Sequence, residues 1–212
     1  MNIIYRFLAI SIGLFLFSCG QMNKEKPGEK PPVARDTLPK SPTESSHNEY
    51  TLVDISPMDM TYFPVDYPKL KMTKVMAGPP LARVIYSRPH LQGRQLFGEV
   101  LKYEEPWRLG ANEATELELF KPATIQEQKV PAGRYVLYCI PHKDKWTIVL
   151  NSNIDTWGLH PDATKDIARF DVPTTTTANH IEYFTMVFEK KGEAAELLMA
   201  WDGIEARLGF RF

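Results

Sequence analysis

Residues 131–151, PAGRYVLYCIPHKDKWTIVLN, decide the fold class of this chain. The tripeptide at 131–133 is typical of a turn, and residues 134–140 after it form an apolar run rich in β-branched and aromatic side chains. The dipeptide at 144–145 marks a second turn, after which residues 146–151 continue the same pattern. Two apolar runs bounded by turn residues in this way predict neighbouring β-strands.

Runs of the same kind recur on both sides of this pair, bounded by Gly, Pro, Asp or Asn. Helical patterns are limited to residues 95–103 and 161–167. The dipeptide Asp202-Gly203 separates the last two runs and is typical of a two-residue hairpin. Many short strands with few helices predict an all-β fold, a single antiparallel β-sandwich or partly closed barrel with one or two short helical turns. The predicted strands are residues 83–87, 115–120, 124–130, 134–140, 146–151, 167–172, 181–188, 194–201 and 206–212.

The beginning of the chain is typical of an export signal. Residues 7–17 are mostly apolar and follow Arg6, and the run is too short for a transmembrane helix, which needs ~20 apolar residues. It ends at Ser18-Cys19, which resembles a bacterial lipobox. We therefore expect residues 1–19 to be a lipoprotein signal peptide, with Cys19 acylated and inserted into the lipid bilayer. An uncleaved anchor or an ordinary signal peptide is the alternative.

The next segment, residues 20–55, is rich in Pro, Lys, Glu and Ser and poor in aromatic side chains. Such a composition buries too little surface to fold, so we expect a disordered tether. Residues 56–212 then form a single β domain with one core. This organisation predicts a lipid-anchored protein of the bacterial cell envelope, on the periplasmic or outer-membrane face.

Composition and motifs exclude several classes of function. The formal net charge is −1, and removing Arg6 with the signal peptide would make it −2, which argues against a nucleic-acid partner. Apart from Cys19, the chain has one cysteine, Cys139, which we predict to be a buried thiol because its surroundings are apolar. The histidines form no HxH or HExxH pair, and no nucleophile motif or glycine-rich phosphate loop occurs. We therefore predict no metal and no cofactor.

The most polar and most turn-rich stretch is residues 86–115, YSRPHLQGRQLFGEVLKYEEPWRLGANEAT. The planar guanidinium of arginine binds carboxylate or phosphate through two hydrogen bonds, and a tryptophan ring stacks on a guanidinium or a sugar. This stretch is therefore the predicted functional surface. Its candidate ligand-binding residues are Arg88, Arg94, Trp107, Arg108, Asn112 and Glu113.

Three hypotheses fit this stretch. The first, and the function that we predict, is a binding module for a small anionic or sugar-like ligand. The second is an envelope hydrolase with Glu113 as acid or base, although a carboxylate that is paired with arginine is a poor base. The third is a structural or interaction protein in which Glu113 pairs with the arginines and fixes the loop. An enzyme is less favoured than a binding module. The second catalytic group of a hydrolase would come from Glu104, Glu105, Glu116 or His90.

Five motifs in a fixed order give the chain a resemblance to a known family. They are Tyr86-Ser87-Arg88-Pro89, Gly93-Arg94 with Phe97-Gly98, Trp107-Arg108 with GANEAT at 110–115, PAG at 131–133 with Tyr135, and Trp146-Thr147-Ile148. In this order they resemble the bacterial domain of unknown function 2911 over about residues 56–212. The resemblance implies an exported or lipid-anchored β domain and no particular reaction. Leu109 and the tripeptide at 104–106 depart from the pattern of that family, which bears on the local loop shape.

Overall fold

The structure, a computed structural model, describes residues 56–212 of the chain. The predicted signal peptide at residues 1–19, the acylation of Cys19 and the predicted tether at residues 20–55 lie outside the described residues and stay predictions. Within the described part, no helix is long and apolar enough to cross a bilayer.

Nine antiparallel strands form one sheet. They are β1 (Met58–Phe63), β2 (Ala82–Ser87), β3 (Thr115–Leu119), β4 (Ala123–Ile125), β5 (Gln128–Val130), β6 (Gly133–Pro141), β7 (Lys145–Asn151), β8 (Asp166–Lys191) and β9 (Ala194–Arg211). Their order in the sheet is β1-β2-β3-β6-β7-β8-β9-β4-β5, and the sheet does not close. The predicted all-β, antiparallel fold class is therefore confirmed.

The hairpin of β6 and β7 is the centre of the fold. Val136 pairs with Asn151 at its open end, and Pro141 pairs with Trp146 at its tip. Most residues of both strands are buried, and each fully buried large apolar side chain contributes roughly 1.5–3 kcal/mol. Cys139 lies in this core, where burial raises the pKa of its thiol well above the ordinary value. The predicted buried thiol is confirmed.

The long strand β8 belongs to both parts of the sheet. Its residues 166–173 pair with β7, and its residues 174–191 pair with β9, with two register shifts between residues 176 and 185. The predicted strands at 167–172 and 181–188 are thus one continuous strand. In the polar run between them, residues 174–176 pair with β9, and residues 177–180 have no partner in the register.

The hairpin predicted at Asp202-Gly203 is wrong. Residues 194–201 and 206–212 are not separate strands, because both lie in β9, which continues through the dipeptide. Asp202 has a left-handed backbone (φ 55°) and pairs with Ile181, where the register shifts. A left-handed residue occurs in β-bulges as well as in turns. Here β8 pairs with β9 on both sides of Asp202, so the residue lies in a bulge.

Several shorter elements also differ from the prediction. The run predicted at 124–130 is two strands, β4 and β5, joined by a turn. The helical pattern at 95–103 is a wide turn, Leu96–Val100, with non-helical angles inside it, and the pattern at 161–167 contains only the 3-10 turn Ala163–Lys165. The short helix α1 (Tyr67–Met72) and the strand β1 were not predicted, because neither has a clear apolar period.

The second half of β8 crosses over β1 and β2 and encloses the core. The Tyr86 hydroxyl donates to the Met186 carbonyl (3.1 Å) and accepts from the Met186 N–H (2.8 Å). Thr61 Oγ1 accepts from the Phe188 N–H (2.9 Å). These bonds give the bent sheet its sandwich-like form, with the core inside.

Candidate functional site

The stretch at residues 86–115 connects β2 to β3 and is fixed to two other strands. Near its start, Phe184 N–H of β8 donates to the Pro89 carbonyl (2.9 Å). Near its end, Trp107 and Cys139 of β6 exchange two backbone hydrogen bonds of 2.7 Å. The loop that contains Arg94 is therefore held to neighbouring strands at both ends, and Arg108 directly follows the second attachment.

A cleft of about 330 Å³ lies beneath this loop, and we call it the arginine cleft. Its lining includes two arginines, two tryptophans and several small or apolar residues, and no acidic side chain. The lining residues are Ser56, Pro89, Arg94, Val100, Leu101, Pro106, Trp107, Arg108, Gly110, Ala111, Gly158, Leu159 and Trp201.

Arg94 is exposed at one side of the cleft and is held only by backbone carbonyls. Its Nε donates to the Leu91 carbonyl (2.8 Å), and its Nη2 donates to the His90 carbonyl (2.9 Å). Among the residues that the structure describes, no carboxylate pairs with Arg94. Two neutral acceptors therefore orient the guanidinium and leave its charge uncompensated.

Arg108 is half-buried at the other side of the cleft. Its Nη1 donates to the carbonyls of Asn112 and Trp157, the latter at 3.1 Å. Burial lowers the pKa of the Arg108 guanidinium, because desolvation disfavours the charged form. Arginine stays protonated at any physiological pH, so a partly desolvated cation lies here without an acidic partner in the described chain.

The absence of a counter-ion sets these two arginines apart. Every other arginine at residues 56–212 forms an ion pair with Asp or Glu. These are Arg83, Arg88, Arg134, Arg169, Arg207 and Arg211. The two unpaired guanidiniums of the described residues thus line the same cleft.

Arg88 lies outside the lining of the cleft, although the sequence placed it with the other two. Its guanidinium donates to Asp59 (3.3 Å), to Thr185 Oγ1 (2.9 Å) and to the Phe184 carbonyl (3.2 Å). These contacts join β1 to the second half of β8. The geometry gives Arg88 a structural role.

Two tryptophans, Trp107 and Trp201, are among the lining residues of the cleft. The indole N–H of Trp107 donates to the Gly110 carbonyl (3.1 Å), which fixes the ring. That ring stacks on Trp201 with centroids 5.5 Å apart at 28°, and meets Phe184 and Trp146 edge-on. Trp201 belongs to β9, far away in sequence, and the sequence analysis missed it because nothing local links it to the loop.

Asn112 and Glu113 have different positions. Asn112 has a left-handed backbone (φ 61°), and its carbonyl accepts from Arg108, so it contacts a lining residue without lining the cleft itself. Glu113 is exposed and lines a separate pocket of about 270 Å³ with Glu116, Asp155 and neighbouring residues. Within residues 56–212, Glu113 forms no ion pair with an arginine.

The residues considered as partners for a catalytic Glu113 are mostly engaged elsewhere. Glu116 shares the pocket of Glu113 but is paired with Arg134 (2.8 Å). Glu104 contacts a histidine of the β6–β7 hairpin, and Glu105 pairs with Lys102. His90 lies beside Glu182 on β8. The geometry brings together no pair of free acid and base groups around Glu113 in the described chain.

A larger pocket of about 550 Å³ lies beside α1 and was not predicted. Tyr62, Tyr67, Lys71, Arg83 and Phe120 are among its lining residues. Its two cations are already engaged, because Lys71 Nζ donates to the Tyr67 hydroxyl (3.1 Å) and Arg83 pairs with Glu118. No group of three or more His, Cys, Asp or Glu side chains suited to a metal ion occurs at residues 56–212.

Comparison with known proteins gives one match. The sequence profile of a family described as "Protein of unknown function (DUF2911)" matches residues 68–210. No curated protein and no solved structure matches the chain. The matched span includes the whole loop over the arginine cleft and the strand that carries Trp201, so the resemblance seen in the sequence is confirmed.

Proposed function

The chain belongs to the DUF2911 family of proteins of unknown function, and from that premise we propose that it is a binding module whose arginine cleft holds a small ligand with an anionic group. One observation carries the proposal. Arg94 and Arg108 both line the cleft, and neither has an acidic partner among the described residues. A partly desolvated cation gains most from an anion that enters the same cleft.

The remaining surface of the cleft favours a ligand with an apolar or ring-shaped body. The half-buried Trp107, which stacks on the fully buried Trp201, supplies an indole surface, and Leu159, which also lines the cleft, is exposed. A carboxylate or phosphate attached to a ring would meet the guanidiniums at one end and these side chains at the other. A sugar acid has both features.

Isothermal titration calorimetry of full-length protein in detergent tests this proposal with three probes: inorganic phosphate, benzoate and neutral glucose. We expect the two anions to bind and glucose to bind more weakly. In Arg94→Gln, the loss of a charge-assisted hydrogen bond of about 1.5–3 kcal/mol should weaken anion binding roughly 10- to 100-fold. Arg211→Gln is the matched control, because Arg211 is exposed and paired with Glu127 outside the cleft.

Arg108→Gln gives the second test, with folding checked first by circular dichroism because Arg108 also holds two backbone carbonyls. We expect a folded variant with weakened anion binding. If neither anion binds to the wild-type protein, or if both variants bind them as tightly as Arg211→Gln does, the proposal is wrong. The hydrolase alternative is not favoured, because Glu113 lies outside the cleft and its neighbour Glu116 is paired with Arg134.

We also propose that acylated Cys19 anchors this module at the bacterial cell envelope, on the periplasmic or outer-membrane face. The support is in the sequence, where a short apolar run at residues 7–17 ends in Ser18-Cys19. Radiolabelled palmitate fed to expressing bacteria should be incorporated into the wild-type protein and not into Cys19→Ser. Equal labelling of both would refute the anchor.

A further inference from the structure

The two most exposed large apolar side chains of the described residues lie three positions apart, at the end of α1 and just after it. Met72 is 77% exposed and Val75 is 75% exposed. Val65, just before α1, is exposed as well. We call residues 65–76, VDYPKLKMTKVM, the α1 patch. Exposed apolar side chains that cluster in this way indicate an interaction surface, whereas single ones do not.

Lysines make the α1 patch basic. Lys69, Lys71 and Lys74 are all exposed. Three lysines and one aspartate, Asp66, give the patch a formal charge of +2, in a chain whose formal net charge is −1. Among the ion pairs at residues 56–212, those that involve a lysine all lie outside the patch. An anionic partner would therefore meet positive charge that no carboxylate of the described chain compensates.

The backbone of the patch is fixed from below. Tyr67 is buried, its ring packs on Tyr62 with centroids 5.3 Å apart, and its hydroxyl donates to the Gly78 carbonyl (3.3 Å). The Met76 N–H donates to the Leu70 carbonyl (3.1 Å) and closes the turn after α1. The lysines and the apolar side chains are thus presented by an ordered segment, which lowers the entropy that a partner must offset on binding.

The pocket of about 550 Å³ beside α1 adds a place for an anionic group. Lys71 lines it, and no acidic side chain is among its lining residues. The Lys71 ammonium uses one of its three protons for the Tyr67 hydroxyl (3.1 Å), so two remain for a ligand. A lysine ammonium is a common partner of phosphate in proteins. The pocket can therefore receive the phosphate of a headgroup.

An anionic phospholipid bilayer matches both features of the patch. Its phosphates attract lysines at the surface, and its interface takes up apolar side chains such as Met72 and Val75. Lysine side chains are long enough to reach the headgroups while apolar neighbours enter deeper. A nucleic acid offers phosphates but no apolar layer for these two side chains. A second copy bound through the same surface would bring like charges together.

We propose that the α1 patch docks on a bilayer of anionic phospholipid, with Met72 and Val75 in the interface and the three lysines of the patch on the lipid phosphates. This docking uses no residue of the arginine cleft, so it goes beyond the proposed function and does not depend on it.

The position of the patch keeps the cleft accessible. Ser56, which lines the arginine cleft, comes just before β1, and the patch comes just after it. The six residues of β1 span about 20 Å at ~3.3 Å per residue. A membrane bound at the α1 end therefore leaves the cleft open to ligand at the other end of β1.

The test uses full-length protein reconstituted in two kinds of vesicle, pure phosphatidylcholine and equal parts of phosphatidylcholine and phosphatidylglycerol. An environment-sensitive fluorophore on Met72→Cys reports the patch itself, whatever else holds the chain on the vesicle. All variants carry Cys19→Ser, and Cys139 is buried, so only the new thiol is labelled. We expect the emission to shift to shorter wavelength, with protection from the neutral quencher acrylamide, only on the vesicles that contain phosphatidylglycerol.

Two lysine variants give the matched comparison. Lys74→Gln should lower the ratio of docked to undocked protein about fivefold, because one lysine near an anionic surface contributes about that factor. Lys143→Gln is the control, since Lys143 is exposed and outside the ion pairs of the described chain but lies at the tip of the β6–β7 hairpin. Val75→Ser should also lower the ratio.

Equal emission on both kinds of vesicle, or an equal effect of the two lysine variants, would overturn the docking. The same result follows if polyglutamate in solution protects the fluorophore as well as the anionic vesicles do, because the partner would then be an acidic peptide. Arg94→Gln should dock like the wild-type protein. Failure of anion binding in the cleft therefore counts against the proposed function alone, and the fluorophore decides the docking separately.

Discussion

Replacement of Gly158 by alanine probes how the back of the arginine cleft is supported. Gly158 lies between the exposed Trp157 and Leu159 and has a left-handed backbone (φ +78°). A Cβ added there would stand 2.9 Å from Ala114 Cβ and 3.2 Å from Arg108 Cβ. The first distance is shorter than any real contact between two such carbons, so the wall must move.

The expected cost has two parts. A left-handed conformation costs alanine about 1–2 kcal/mol relative to glycine. Insertion of a methyl group into a packed contact costs typically 1–3 kcal/mol more, because neighbouring backbone must shift. We therefore expect Gly158→Ala to lower the free energy of unfolding by about 2–5 kcal/mol. The shift would also displace Arg108, so anion binding should weaken in the folded fraction.

The assay is urea unfolding followed by circular dichroism, with Gly192→Ala as the control. Gly192 also has a left-handed backbone (φ +60°), but nothing lies within 4 Å of the position that a Cβ would take. The control should therefore lose only the conformational part, about 1–2 kcal/mol. If the two variants lose equal stability, the close packing behind Arg108 has no energetic weight and the reasoning fails.

Two further predictions concern groups that join the layers of the sheet. Arg88→Ala should lower the free energy of unfolding, measured by urea unfolding, by about 1–3 kcal/mol, because Asp59, Thr185 and a backbone carbonyl lose their donor. Anion affinity should stay unchanged, because Arg88 does not line the cleft. Burial raises the pKa of Tyr86 from 10.0 to about 12, so above pH 10 the unfolded chain releases this proton and the folded chain does not. Stability should therefore fall between pH 10 and 12 by about 2–3 kcal/mol more in the wild-type protein than in Tyr86→Phe, and equal pH profiles would contradict this assignment.

Local sequence was sufficient where a strand and its turn lie within one short stretch. The strands at residues 134–140 and 146–151 and the turn between them are predicted by the sequence because apolar runs and turn residues alternate there. Local sequence was not sufficient to predict the structure at Asp202-Gly203, because a hairpin turn and a β-bulge both use a left-handed residue. The two differ only in whether the neighbouring strand continues past that residue. That information lies in β8, not in the dipeptide.

The candidate site shows the same division. The loop at residues 86–115 and its arginines stand out in the sequence, and Arg94, Trp107 and Arg108 do line one cleft. Which arginine is free depends on partners far away in the chain, such as Asp59 for Arg88. Trp201 could not be predicted either, because its contact with Trp107 arises only when β9 passes under the loop.

The continuity of β8 has a consequence for how the domain comes apart. At ~3.3 Å per residue, a straight strand from Asp166 to Lys191 would be longer than a domain of this size is wide, so the strand cannot run straight along its whole length. Both layers share this one piece of backbone. A loss of pairing with β7 therefore removes support from the strand that also pairs with β9, and neither layer has a boundary at which it could melt alone. The domain is expected to open as one cooperative unit, with hydrogen-exchange protection at the cleft tied to that of the opposite layer.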